Sequence, residues 1–234
     1  MEPNNKRARN GLFITGTDTG VGKTVIGAAL VRALAESGLS IQARKPVESG
    51  CEKQDEKLIP ADGQCYFEAM RGSVPLDLIT PYRFVAPLAP PQAAELEQQT
   101  LSVQSLLEAT LAEVNTEDFC VVEGAGGFYS PLAHDGLNAD LAKSLTHPVL
   151  IVAANRLGCI NHILLTLQAV QHCGLESLAI VLNQNAPADL ASHSNADAIN
   201  RQTGIPVIAT SHQAADLVGE LQPLVEIILA KLKR

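Results

Sequence analysis

Aromatic side chains make up 3% of the 234 residues, and tryptophan is absent. Few rings are therefore present for base stacking, the platform on which single-strand binders rely. Basic residues are also in the minority: 17 Lys and Arg stand against 25 Asp and Glu, a formal net charge of −8. Broad nucleic-acid binding runs on Lys/Arg stripes that neutralise phosphates, so this balance argues against it. No run approaches the roughly 18 uninterrupted apolar residues of a membrane span. The basic start, with Lys6, Arg7 and Arg9, has no apolar segment behind it, so it is not read as a secretory signal. Residues 1–10 are expected to form a loose, solvated tail, with one domain over residues 11–234. Cysteine is sparse too. Cys51, Cys65, Cys120, Cys159 and Cys173 are odd in number and show no C-x-x-C spacing. That suits free thiols in the reducing cytoplasm rather than a disulfide or zinc framework.

What is present is an ordinary globular composition, 46% hydrophobic and 18% charged. Short apolar runs alternate with helix-period segments. Strands are expected at Leu12–Thr15, Ser40–Lys45, Phe119–Val122, Val149–Ala153, Leu178–Leu182 and Val207–Ala209. The first helix is expected over Lys23–Ser37, with Val25, Ile26, Ala29, Leu30, Ala33 and Leu34 on its buried side and Gly38 closing it. Further helical patterns lie near 102–114, 137–145, 160–173, 188–202 and 221–233. Continuous rather than alternating apolar strands imply a sheet covered on both faces. With intervening helices, the fold class is α/β: a doubly wound, mostly parallel sheet. Val47–Pro91 holds six of the thirteen prolines and little periodicity. It is read as excursions and short helices above the carboxyl edge of the sheet, where such folds bind ligands, or else as a structural insertion.

The segment Gly16-Thr-Asp-Thr-Gly-Val-Gly-Lys-Thr24 follows the run Leu12-Phe13-Ile14. Glycines let successive backbone N–H groups curl around an anion. Lys23 adds a cation for the outer phosphates, the Thr24 hydroxyl is a magnesium ligand, and the helix that follows points its positive end at the site. Thr17 stands where the strict template asks for glycine, so the segment is a P-loop variant that predicts binding of a nucleoside triphosphate.

Other residues reach the same edge. Glu123 ends a buried strand ahead of Gly124-Ala125-Gly126-Gly127, a position that holds magnesium in nucleotide sites, though aspartate is commoner there. Lys45 closes the second strand; in a parallel sheet it emerges beside Lys23, so both could face one polyphosphate. Asp62, in an irregular loop, could add a third oxygen ligand to magnesium, although a lone carboxylate there is ordinarily surface. Cys159 opens a helix with His162 one turn on, which admits a lowered thiol pKa; the helix start better suits a carboxylate ligand. Asn183, at the end of a strand, could donate and accept against a purine edge or cap a turn.

Together these pieces resemble the dethiobiotin synthetase family, ATP-dependent carboxylases of biotin biosynthesis. The blocks are Gly16–Thr24, Lys45-Pro-Val-Glu-Ser-Gly50, Val122-Glu-Gly-Ala-Gly-Gly127 and Leu157-Gly-Cys-Ile-Asn-His162. The resemblance implies that Thr19, Gly20, Val21, Gly22, Lys23, Thr24 and Val25 wrap the phosphates of ATP. It implies that Thr24, Asp62 and Glu123 hold Mg2+, that Lys45 and Lys23 are catalytic, and that Ser49 contacts substrate. Gly124, Ala125, Gly126 and Gly127 would line the shared cleft. Asn183 would read adenine, flanked by Gln184 and by Ser211, His212 and Gln213. Gly158, Cys159, Ile160 and Asn161 would bind the carboxylate of 7,8-diaminononanoate from the other subunit of a homodimer. The implied reaction joins that diamine and CO2 at the expense of ATP, and Lys45→Ala should lose most turnover with little change in folding. Two rivals are a regulatory partition-type P-loop ATPase and an amide-forming synthetase. Thr17 and Asp18 stand where the first carries a second lysine, and the second needs a glutaminase domain for which the chain has no room.

Overall fold

The computed structural model describes residues 10–233. The expected basic tail lies outside them, except for Asn10, which already belongs to the first strand. Six strands form one sheet in the spatial order Val207–Thr210, Ser177–Asn183, Val149–Ala154, Asn10–Gly16, Phe119–Gly127 and Ile41–Arg44. Every pairing is parallel. Successive side chains on a strand point to opposite faces, so each strand feeds two cores. Phe13, Val122, Ile151 and Ile180 enter one. Leu12, Ile14, Val121, Val152 and Val181 enter the other.

Helices cover both faces. Lys23–Glu36, Ala61–Ala69 and Gln222–Leu232 pack on the Leu12 side through Ile26, Leu30, Tyr66 and Val225. Val103–Leu111, Asn138–Leu145, Cys159–His172 and Asn195–Thr203 pack on the Phe13 side through Leu106, Leu141, Ile163 and Ile199. Apolar strands without alternation are thus explained by a helix layer on each side. From the central strand Asn10–Gly16 the chain crosses to the edge strand Ile41–Arg44, and later returns through Phe119–Gly127 between them. All strands being parallel, the segments after Gly16, Arg44 and Val122 leave at the same edge.

Four local expectations are corrected. Val25 is 57% exposed rather than buried, because in the first helical turn it faces the mouth of a cleft; the buried stripe is Ile26, Leu30, Val31 and Leu34. Asp62 is not in an irregular loop but in the first turn of the Ala61–Ala69 helix. The Phe119 strand does not stop at Glu123 but runs on to Gly127. The helix expected from 188 begins only at Asn195, because the Asp189 carboxylate accepts the Ser192 N–H at 2.7 Å and folds that segment into a turn. Two short ladders follow the edge strand: Val47–Ser49 pairs with Tyr82–Phe84, which comes after the Ala61 helix, and Glu52–Gln54 forms a hairpin with Lys57–Ile59. Asp55 and Glu56 take left-handed backbone at the hairpin tip, as a two-residue turn of the twist-matched kind demands.

Candidate active site

The phosphate loop is built by backbone geometry. Gly20 and Gly22 have φ of 72° and 95°, values that glycine reaches without the strain other residues incur. The 14-residue helix that begins at Lys23 has no side-chain cap, so its first N–H groups face the loop concavity. Lys23 is buried and its ammonium curls back to the Asp18 carbonyl at 3.4 Å. Burial lowers its pKa, and the Lys45 charge pushes the same way against the pull of Glu123. Among the described residues no carboxylate forms an ion pair with this ammonium, which leaves it open to an anion.

The second strand delivers Lys45 one residue past its end, where its N–H donates to the Ile79 carbonyl at 2.8 Å. The Lys45 ammonium lies 2.5 Å from Glu123 Oε1 and 2.8 Å from Asp62 Oδ2. The Thr24 hydroxyl donates to the same Glu123 Oε1 at 3.0 Å. Burial alone would lower the Lys45 pKa, but the two carboxylates more than offset it and hold it above its ordinary value. Burial alone would raise that of Asp62, yet Lys45 holds it below the usual carboxylate range. So two carboxylates from separate segments meet on the Lys45 ammonium, and the Thr24 hydroxyl meets one of them at the oxygen the ammonium also contacts. Hydroxyl and carboxylates are hard oxygen donors of the kind magnesium accepts. No group of three or more His, Cys, Asp and Glu gathers among the described residues, so any magnesium here would also lean on phosphate and water.

These residues line a cleft of about 400 Å³ together with Thr19, Gly20, Gly22, Val25, Ser49, Ala125 and Gly126. The Ser49 hydroxyl meanwhile donates to the Leu88 carbonyl at 2.7 Å. Gly124 needs to be glycine because a Cβ would strike the Asn138 side chain. That asparagine accepts the Ala125 N–H at 2.9 Å and donates to the carbonyls of Ala125, Gly127 and Ser130. It is what holds the glycine segment extended.

Asn183 lies under the phosphate loop, donating to the Val21 carbonyl at 2.9 Å and accepting from Thr210 at 3.2 Å. Gln184 is buried and spends its amide on the Ala186 carbonyl and Asn155. Its own carbonyl faces His212 Nδ1 at 3.1 Å, which sets the exposed loop Ser211-His212-Gln213 beside it. Gly158, Cys159, Ile160 and Asn161 do not line the cleft of their own chain. Gly158 takes φ 92° and starts the Cys159–His172 helix. The lowered thiol pKa considered for Cys159 is not found. It is buried, and burial pushes its pKa up. Asn161 is exposed on the same helix face as Leu165, which is 58% exposed, and Leu157 just before the helix is 82% exposed.

Three further residues shape this site, and none of them is a candidate in the sequence reading. Glu48 accepts the N–H groups of Asp62 and Gly63, each at 3.0 Å, and so caps the helix that carries Asp62. Tyr66 donates to Glu123 Oε2 at 2.7 Å. Asn138 is the third. Only the sequence neighbourhood of Glu48, inside the Lys45–Gly50 block, hints at its place.

A family model described as an AAA domain matches residues 10–220. An ATP-dependent dethiobiotin synthetase of Anaeromyxobacter dehalogenans is 41% identical over 224 residues, 95% of this chain and 99% of that protein. The Ruthia magnifica protein of the same name is 37% identical and covers 84% of this chain and 89% of its own. Among solved structures, an Archaeoglobus fulgidus nucleotide-binding protein in complex with ADP matches 94% of this chain and 87% of its own, with a TM-score of 0.52 and 14% identity. That likeness supports the fold alone.

Proposed function

The chain belongs to the ATP-dependent dethiobiotin synthetase family, and we propose that it makes dethiobiotin from 7,8-diaminononanoate, CO2 and ATP with Mg2+. The observation that carries this reading is the convergence of Lys23, Lys45, Thr24, Asp62 and Glu123 on one cleft.

In this reaction one amine of the diamine takes up CO2 as a carbamate. The carbamate oxygen accepts the γ-phosphoryl group and ADP leaves. The second amine then attacks the carbamoyl carbon of the mixed anhydride, phosphate departs, and the cyclic urea closes. Such chemistry asks for positioning and charge neutralisation more than for covalent help. The loop N–H groups and Lys23 hold the phosphate chain in line. Lys45, leaving its resting partners, neutralises the carbamate and γ-phosphate oxygens as they meet. Thr24, Asp62 and Glu123 would hold Mg2+, which supplies further charge neutralisation when bound. Asn183, with Gln184 and the Ser211–Gln213 loop behind it, would border the adenine.

Substrate contacts complete the proposal. Ser49, which lines the cleft, would contact the substrate, and Gly127, just beyond the lining residue Gly126, would border it. Gly158–Asn161 serve the cleft of a second copy: Leu157 and Leu165 are exposed around them, as a surface covered by a twin would be. A homodimer with the diamine site across the interface follows. No described helix is long and apolar enough to cross a membrane.

The test is phosphate release measured with the diamine and bicarbonate added singly and together. Release that needs both supports the synthetase. ATP turnover stimulated instead by DNA or lipid would point to a regulatory ATPase and overturn it.

A further inference from the structure

Gly27 sits inside the Lys23–Glu36 helix, where glycine is less favourable than alanine because it has more backbone freedom to lose. The reason for it lies on the neighbouring helix. A Cβ on Gly27 would run into the hydroxyl of Tyr66, with Ile14 close behind. Tyr66 is 0% exposed, and its hydroxyl passes through this gap to reach Glu123 Oε2 at 2.7 Å. The two oxygens of Glu123 thus have separate partners. Oε1 faces the cleft and meets Thr24 and Lys45, while Oε2 points inward and, among the described residues, meets Tyr66. Tyr66 also lies four residues beyond Asp62, one turn along the same helix.

We propose that Tyr66 is a positioning residue for the magnesium carboxylates, anchoring Glu123 Oε2 so that Oε1 is presented to the metal. This rests on the reading of Glu123 as a metal ligand. The Glu123 side chain is buried, and among the described residues no donor other than Tyr66 reaches Oε2; without the phenol the carboxylate can turn and lower its donor quality. Because Asp62 and Tyr66 ride on one helix, both carboxylates of the site take their geometry from a single rigid element. Gly27 is the opening that permits it.

The experiment titrates Mn2+ by electron paramagnetic resonance against the ADP-bound full chain, with ADP affinity in the absence of metal measured alongside. Tyr66→Phe is expected to weaken Mn2+ binding roughly 10-fold and leave metal-free ADP affinity within about twofold. Mn2+ affinity within about twofold of the parent overturns the proposal, as does an equal loss of metal-free ADP affinity. Should Tyr66→Phe alone be insoluble, Glu123→Gln is compared with Glu123→Gln/Tyr66→Phe: equal Mn2+ affinity supports action through the carboxylate, and a further fall overturns it. Weakening by Glu123→Gln but not by Tyr66→Phe overturns only the role of Tyr66. Weakening by neither overturns the metal reading itself.

Discussion

The side-chain amide of Asn183 occupies the space that a Cβ on Gly22 would need, and donates to the Val21 carbonyl at 2.9 Å. A strand end on one side of the central strand therefore braces the phosphate loop, although the two residues stand far apart in the sequence. Loop shape and the strand end that carries Asn183 are mechanically one unit.

Gly22→Ala meets two penalties, a left-handed backbone at φ 95° and displacement of Asn183. Left-handed backbone at a residue with a side chain costs roughly 1–2 kcal/mol, and the collision adds to it. Calorimetry should find ADP affinity at least about 10-fold weaker, from the backbone term and the collision together. Asn183→Ala should weaken it less, since only the brace is lost. Parent-like affinity in Gly22→Ala would show that the loop does not depend on this contact.

Lys45→Ala is expected to lose turnover by roughly 10²–10³-fold, the usual effect of removing one preorganised charge from a reacting centre. The further expectation that folding is spared does not suit the structure. Lys45 is 4% exposed and neutralises Glu123, itself 1% exposed, together with Asp62. Removing one partner of a buried pair costs about 3–5 kcal/mol, because the charge left behind stays out of water. Thermal melts should therefore show a lowered Tm for the variant. Added Mg2+ should raise that Tm more than it raises the parent's, since the metal takes up the stranded carboxylates. A variant that melts like the parent would contradict the pairing.

The distance in sequence between partners explains how far the chain could be read by eye. The phosphate loop is contiguous, so Lys23 and Thr24 announce themselves, and the apolar strands announce a sheet covered on both faces. Lys45, Asp62 and Glu123 are legible only as single residues; what makes them a site is the return of Phe119–Gly127 between the first two strands. Tyr66 and Asn138 have no motif at all, and the Lys45–Gly50 block gives Glu48 no role of its own, because each acts on a neighbour that the fold, not the sequence, provides. Val25 misled for a related reason: helix periodicity marks a face, but not whether a cleft opens over its first turn.

His147 gives a pH dependence unrelated to the cleft. It is 3% exposed, its Nε2 has no hydrogen-bond partner among the described residues, and burial pushes its pKa down to about 4. Between about pH 4 and 6.5 the unfolded imidazole holds a proton that the folded one does not, so acid favours the unfolded chain across that window. Lowering the pH from 7 to 5 should cost about 2 kcal/mol through this one group. Urea denaturation at the two pH values should show that loss in the parent, and a smaller one in His147→Leu. Equal losses in the parent and the variant would place the sensitivity elsewhere. Asp62 acts in the same sense but at lower pH: Lys45 holds its carboxyl below the usual carboxylate range, so the stability it adds above that range is lost as the pH falls through it.

The proposed twin subunit is tested by separating assembly from nucleotide binding. Leu157 and Leu165 are exposed beside Gly158–Asn161, while Lys23, Thr24 and Glu123 lie in a cleft lined by none of those residues. A charge at Leu157 would be desolvated in a dimer interface but solvated in a monomer, so Leu157→Asp should dissociate the pair and leave the fold intact. Sedimentation should then show a smaller particle. ADP affinity should stay within about twofold, whereas the KM for diamine should rise at least about 10-fold, because removing partners from a charged substrate group costs on the order of 1.5–3 kcal/mol. The combination is diagnostic: a general disturbance would weaken both ligands together, and a monomeric enzyme with a complete site would show neither change. Loss of diamine affinity in step with loss of the dimer, with the nucleotide still held, is the signature of a site that two chains build.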